Sequence, residues 1–161
     1  MQILLSLGSS IGNRKNNIIE CINCLKSIDI KNIKVASIYE TSPEGGVAKN
    51  MFYNTTICGE FKRDVFELFF LCKSIEFAIG RRKTIRWDDR IIDIDILLYG
   101  NKIIKNQFLE IPHPRFHLRK FVLVPAVEIA SEFIHPVLKK SIYNIANMYK
   151  NFLDIKKIKY D

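Results

Sequence analysis

The chain is short of the residues that break or staple a fold, and it has no long apolar run. Only 7 glycines and 5 prolines occur in 161 residues, and no Pro/Gly/Ser linker, repeat or low-complexity tract divides them. Fibrous and disordered classes are thereby excluded. The longest stretch without Asp, Glu, Lys or Arg runs from Met1 to Asn13. It is too short to cross a bilayer, lacks a basic leader and breaks at Gly8-Ser9-Ser10. A cytoplasmic protein with no signal peptide and no membrane partner is expected. The 4 cysteines need not pair, because a chain of this length can bury a full core without staples. Cys21 and Cys24 form a lone C-x-x-C with no second pair to complete a zinc site, and read as small apolar groups on a buried helix face. A Walker A loop is also missing: Gly8-Ser9-Ser10-Ile11-Gly12-Asn13 has no Lys-Ser/Thr, and reads as a turn from strand to helix.

Negative charge is scarce as well, 17 Asp plus Glu against 25 Lys plus Arg, for a net +8. A basic domain spanning residues 1–161 calls for an anionic partner. Most lysines are scattered singly, and the tail from Lys150 to Lys159 mixes Lys with Ile and Phe, as a solvated helical face would. The arginines are concentrated. Arg81, Arg82, Arg86 and Arg90 crowd one short segment, and Arg115 and Arg119 form a second pair. Guanidinium groups suit bidentate recognition of phosphate.

The hydrophobic pattern predicts a strand over Gln2 to Leu7 and an amphipathic helix from Asn13 to Ile28, with Ile18, Cys21, Ile22, Leu25 and Ile28 on one face. A second strand, Ile33 to Tyr39, ends at the loop Thr41-Ser42-Pro43-Glu44-Gly45-Gly46. A third covers Phe52 to Phe61. Asp64 and Glu67 are spaced as a capping box for a helix that Gly80 ends. Ile91 to Tyr99 then closes the order β-α-β-β-α-β. The expected fold class is α+β: a ferredoxin-like sandwich with an antiparallel sheet, two helices on one face, and further C-terminal helices near 118–130 and 142–152.

Asp93-Ile94-Asp95 carries the chemistry. A strand has a side-chain period of two, so both carboxylates share one face. Alone, the triplet reads equally as two solvated aspartates. Beside Arg81, Arg82, Arg86, Arg90 and Trp87 it reads as a site where Mg²⁺ ions bind between the carboxylates and a polyphosphate, the parts of a phosphoryl-transfer centre. His113 is held in a defined direction between Pro112 and Pro114. His117 is four residues on, but the extended backbone at His113 keeps the two off a shared helical face. His135, before Pro136, reads as structural.

With these blocks assembled, the chain resembles the 6-hydroxymethyl-7,8-dihydropterin pyrophosphokinase family. The resemblance runs from Leu5-Ser6-Leu7-Gly8-Ser9 through Tyr39-Glu40-Thr41-Ser42-Pro43, Phe52-Tyr53-Asn54 and Arg86-Trp87. It continues through Arg90-Ile91-Ile92-Asp93-Ile94-Asp95 to Ile111-Pro112-His113-Pro114-Arg115 and Arg119-Lys120-Phe121. It implies transfer of the diphosphate of ATP to the hydroxymethyl group of the dihydropterin, a step of folate biosynthesis, releasing AMP. It implies that Asp93 and Asp95 hold two Mg²⁺ ions, that Arg81 and Arg90 grip the triphosphate in catalysis, and that His113 and Arg119 bind ATP. Lys73, Glu76, Trp87 and Ile96 fall at further nucleotide-side positions, Ile96 through its backbone. For the pterin, Phe52 and Phe121 match the two sandwiching aromatics, Asn54 the amide that reads the ring edge, and Thr41, Ser42 and Glu44 the surrounding loop.

The chain departs from the family pattern at Ser10, where Asn is frequent, at Lys83, where Arg is common, and at Asp88-Asp89, which replaces Gly-Pro. The added negative charge beside the phosphate clamp is expected to weaken nucleotide binding or alter loop closure. An RNA-binding module is the alternative on the same fold, but its aromatic signature run is missing and Asp93 and Asp95 would repel a nucleic-acid backbone. A monomer with no nucleic-acid partner is the expectation.

Overall fold

A computed structural model describes residues 1–149 and 154–159. In chain order the elements are β1 (Gln2–Ser9), α1 (Arg14–Ser27), β2 (Ile30–Val35), β3 (Tyr39–Thr41), β4 (Phe52–Phe61), α2 (Val65–Ile79) and β5 (Asp93–Tyr99). A short hairpin follows, β6 (Ile104–Lys105) and β7 (Glu110–Ile111), then α3 (Lys120–Ala130), α4 (Ile142–Ala146) and β8 (Ile155–Lys157).

β1 is buried along its whole length after Gln2, so both of its faces must be covered. Ile3, Leu5 and Leu7 point into a core shared with Ile18, Cys21 and Leu25 of α1 and with Leu68, Cys72 and Ile75 of α2. Leu4 points the other way, into a second core with Val122, Leu123 and Ala126 of α3 and with Ile142 and Ile145 of α4. The sheet runs β5-β1-β4-β3-β8, with β2 beside β3 along β4, and the ladders are antiparallel. Its β1 to β5 portion has the strand order of the expected ferredoxin-like sandwich.

Local signals account for the ends of the helices. Asn13 accepts a hydrogen bond from the Asn16 amide at 3.1 Å to start α1, and Asp64 accepts one from the Phe66 amide at 2.8 Å to start α2. Glu67 does not close the capping box but faces the Arg63 guanidinium at 3.6 Å. Gly80, at φ +117°, ends α2 in the left-handed conformation that costs glycine least.

Three expectations need correction. The second predicted strand is two strands. Ala36 leaves the ladder but remains tied to β4, its amide donating to the Thr56 carbonyl and its carbonyl accepting from the Thr55 hydroxyl, both at 3.0 Å. The helix expected over 142–152 is regular only to Ala146, and its last three residues lie outside the described ones. The tail read as a solvated helical face includes β8, which pairs with β3 in the register Tyr39 to Lys157 and sets Lys157 Nζ 3.5 Å from Glu128. Sheet pairing outweighs the helical reading there because β3 otherwise presents an open edge.

The register of the sheet builds one end of the molecule. Gly8 stands opposite Asn54 on β4 and opposite Asp93 on β5. A Cβ at Gly8 would come within 3.1 Å of Asn54 Oδ1, so glycine makes room for that amide. Ile57, fully buried in β4 between Leu5 and Val35, ties this arrangement to the core. Ile57→Ala is expected to lower the unfolding free energy by about 3 kcal/mol in urea titrations; a loss below about 1 kcal/mol would mean that the core collapses around the gap.

Candidate active site

At that end of the sheet lies a cleft of about 400 Å³. Its floor carries Asp93 and Asp95 from β5 and Asn54 from β4. One wall is the end of β3 and the segment after it, with Thr41, Ser42 and Glu44. The opposite wall is formed by Lys73, Arg81, Trp87 and Arg90, and His113, Arg119 and Phe121 close it from the C-terminal side. Phe52 also lines it. Glu76 and Ile96 are the two expected site residues that do not. Ile96 is 5 % exposed and packs in the core opposite Leu5, and Glu76 is 3 % exposed behind the wall.

The electrostatics are uneven. Asp93 is gripped by Arg81 at Oδ1 and by Arg90 at Oδ2, the latter at 2.8 Å. Burial works to raise its pKa, but the Arg90 and Arg81 charges outweigh it and hold the carboxyl below its usual range. Asp95, two residues on, has no such clamp: His113 Nε2 stands 3.8 Å and Arg119 Nη1 4.0 Å away. Burial first, and the Asp93 charge second, push its pKa up to about 7. His113 Nδ1 accepts from the Arg115 amide at 3.2 Å, which places the ring proton on Nε2, facing Asp95. Burial and the Arg119 charge lower the His113 pKa to about 4, so the ring is neutral at neutral pH. The backbone holds His113 in place too, its amide donating to the Leu97 carbonyl at 3.0 Å.

Glu76 is the hidden member of the cluster. Its Oε1 accepts from the Ile94 amide, between the two aspartates, at 2.6 Å, and from Arg81 at 3.2 Å. Lys73 Nζ bonds both of its oxygens, at 3.2 and 3.0 Å. Glu76 thus fixes the backbone that aims Asp93 and Asp95; the i, i+3 spacing on one helix could have suggested its pair with Lys73, but not the bond to Ile94.

On the other side, Asn54 Nδ2 donates to the Thr41 hydroxyl at 2.7 Å, leaving its Oδ1 beside Gly8. Arg90 lies 5.8 Å from the Phe52 ring centroid and Arg119 5.6 Å from that of Phe121, so each aromatic expected for the pterin has a cation beside it. Glu44 reaches Arg119 Nε at 3.4 Å. Arg115, singled out with Arg119 for its charge but given no site role by sequence, lies 4.4 Å over the Trp87 ring. Its side chain lines the cleft with Thr84 and Arg86.

An antiparallel ferredoxin-like sandwich whose cleft sets two carboxylates under guanidinium groups from separate segments defines an enzyme that handles phosphate groups. Comparison with known proteins narrows the class. A family model described as 7,8-dihydro-6-hydroxymethylpterin-pyrophosphokinase (HPPK) matches residues 4–131. A 2-amino-4-hydroxy-6-hydroxymethyldihydropteridine pyrophosphokinase of Aquifex aeolicus is 32% identical over 97% of this chain and 98% of its own length. The protein of that name from Bacillus subtilis is 36% identical over 80% of this chain and 77% of its own. The folic acid synthesis protein fol1 of Pneumocystis carinii is 36% identical over 94% of this chain, which spans only 20% of that protein. Wild-type Plasmodium falciparum HPPK-DHPS has a TM-score of 0.70 at 19% identity, covering 92% of this chain and 44% of that one, a likeness of fold. The chain belongs to the HPPK family, whose members are pyrophosphokinases.

Glu76→Ala leaves the Ile94 amide without its acceptor and Lys73 without its partner carboxylate. The expected cost is about 3 kcal/mol of stability, read by urea unfolding, with Glu76→Gln losing less because it keeps one acceptor. Equal stability of Glu76→Ala and wild type would contradict the role given to this carboxylate.

Proposed function

We propose that the chain transfers the diphosphate of ATP to the hydroxymethyl group of 6-hydroxymethyl-7,8-dihydropterin, giving AMP and the pterin diphosphate, and that it acts as a monomer. The observation that carries the reading is the register Asn54, Gly8, Asp93 across neighbouring strands. It sets an amide able to read a pterin edge beside the carboxylates that face the phosphate clamp.

Asp93 and Asp95 suit Mg²⁺: they offer oxygen donors only, on one strand face, in a cleft where phosphate oxygens would supply further donors. We assign two ions to this pair. When bound, Mg²⁺ neutralises phosphate charge and makes a coordinated hydroxyl more acidic. The chain's own groups do the rest. Arg81 and Arg90 hold Asp93 until a triphosphate offers them a stronger anion; their move to phosphate frees the Asp93 oxygens for a cation. Arg119, between Glu44 and Asp95, marks the boundary between pterin and nucleotide. The neutral His113, with its proton on Nε2, donates toward phosphate oxygen without adding charge. Phe52 and Phe121 offer their faces to the bicyclic ring. The proton that leaves the hydroxymethyl oxygen passes to Asp95 or to water.

³¹P NMR of the protein with ATP, MgCl₂ and the dihydropterin is expected to show AMP and a pterin diphosphate. ADP with a pterin monophosphate would keep the fold and refute the diphosphate transfer. Asp95→Ala is expected to lower kcat by ~100-fold or more, in line with the loss of a group that stabilises transition-state charge, and near-normal turnover would remove it from the centre. Phe121→Ala is expected to raise KM for the pterin about tenfold while leaving kcat within about threefold of wild type; the reverse split would place Phe121 on the chemical step.

A further inference from the structure

Glu128 is an acidic residue on a helix whose packing against the sheet is apolar. α3 lies on the sheet through Val122, Leu123, Ala126 and Ala130, which pack with Leu4, Cys58 and Leu97. Apolar packing is non-directional, so it holds the helix down more firmly than it fixes how far along the strands the helix sits. Directional bonds set that. The Ser37 amide donates to Glu128 Oε2 at 2.9 Å, the Tyr39 hydroxyl donates to Oε1, and Lys157 Nζ of β8 stands 3.5 Å from Oε1. The Cys58 thiol adds a weak bond to the Ile129 carbonyl at 3.4 Å. Burial works to raise the Glu128 pKa, but the bonds from Tyr39 and Ser37 outweigh it and hold the carboxyl below its usual range.

On both elements the tie stands one step back from the cleft. Tyr39 and Thr41 are two residues apart on β3 and share a face. Tyr39 pairs in register with Asn54, and Thr41 with Phe52. On α3, Phe121 precedes Glu128 by seven residues, two helical turns or about 10 Å, so both stand on one side of the helix. The helix runs unbroken between them, although Pro125 withholds an amide from the Phe121 carbonyl. Thr41, Phe52, Asn54 and Phe121 line the cleft. The bond between Glu128 and Tyr39 is thus a rung between helix and strand, and the spacing from Phe121 to Thr41 and Asn54 depends on it.

We infer that Glu128, bonded to Tyr39, is a positioning residue for the pterin: it sets where α3 sits along β3, and so where Phe121 stands relative to a ring bound at Asn54. The name of the ligand rests on the proposed function; the tie does not. Phe121 meets a flat ring through one face. A helix displaced by about 1 Å opens a gap there, and such a gap forfeits up to about half of the dispersion contact. Arg81 and Arg90 come from another segment, so the triphosphate is affected less.

KM for the dihydropterin at saturating ATP and Mg²⁺ reads the tie whichever substrate binds first. Glu128→Ala is expected to raise it about fivefold, with kcat and KM for ATP each within about twofold of wild type. Tyr39→Phe keeps the ring and removes the hydroxyl, and keeps the test open if Glu128→Ala does not fold. It is expected to raise the pterin KM about threefold alone and to add nothing to Glu128→Ala, because the two side chains act through one bond. Lys157→Ala removes an ion pair whose lysine is 60% exposed, and is expected to match wild type. Leu25→Ala opens a cavity in the core on the other face of the sheet; it is expected to lower the unfolding midpoint at least as far as Glu128→Ala and to leave the pterin KM unchanged, which separates position from stability. The inference is overturned if Glu128→Ala and Tyr39→Phe leave the pterin KM unchanged, if their effects add, or if Leu25→Ala raises it as much. Failure of the pyrophosphokinase reading shows separately, as wild-type protein that forms no AMP while amide hydrogen exchange in α3 is still faster in Glu128→Ala than in wild type.

Discussion

Three carboxylates crowd the corner between α2 and β5, and the rest of the site is organised by the need to oppose them. Glu76, Asp93 and Asp95 could not stand so close in a partly dry place without cations facing them. The chain supplies Lys73 from α2, Arg81 and Arg90 from the segment that crosses over β5, and Arg119 from the start of α3. They come from three different stretches of backbone. The path of the 81–90 segment follows from this: Arg81 leaves α2 at Gly80, bonds Glu76 and Asp93 together, and Arg90 returns to the same carboxylate just before β5 begins.

The compensation is not shared equally, and the inequality has chemical content. Asp93 is saturated by guanidinium groups and is held ionised; Asp95 is left with distant cations and a like charge two residues away, so its pKa rises to about 7. Two carboxylates on one strand face thereby acquire different characters from their surroundings alone, one a fixed anion and one able to exchange a proton near neutrality. On the proposed function, a polyanion entering the cleft would compete for the same arginines that quiet Asp93, so grip on phosphate and release of the carboxylate would be two sides of one exchange.

How far the sequence could reveal this depended on range. Periodicity within eight to fifteen residues located β1, α1, β4, α2 and β5, whose own lengths run from 7 to 15 residues, and the two-residue period of β5 put Asp93 and Asp95 on one face. Short strands have too few residues to show a period, so the break between β2 and β3, the β6-β7 hairpin and β8 were illegible. The gathering of Thr41, Asn54, Arg119 and Phe121 around one cleft was expected from family resemblance, not from spacing. Two roles escaped both routes. Glu76 was expected at a nucleotide-side position, yet its carboxylate is turned inward to the Ile94 amide; and Asp89 was expected to add charge beside the phosphate clamp, weakening nucleotide binding or altering loop closure, whereas its carboxylate bonds amides 40 and 39 residues earlier. Contacts of that range leave no mark on local pattern.

The site divides into a part that cannot move and a part that can. Asn54, Gly8 and Asp93 sit on three hydrogen-bonded neighbours in the sheet, so the backbone span from Asn54 to Asp93 is set at two strand spacings, about 10 Å. No loop motion changes it. The guanidinium groups of the cleft are carried instead on the 81–90 segment and at the head of α3, and the segment after β3 is tied to the former through Asp89 and to the latter through Glu44 and Arg119. A reaction that joins a flat, weakly charged acceptor to a highly charged donor suits such a division. The acceptor needs a fixed place, because its oxygen must meet phosphorus in line. The donor needs cations that can leave one anion for another, which only side chains on loops can do.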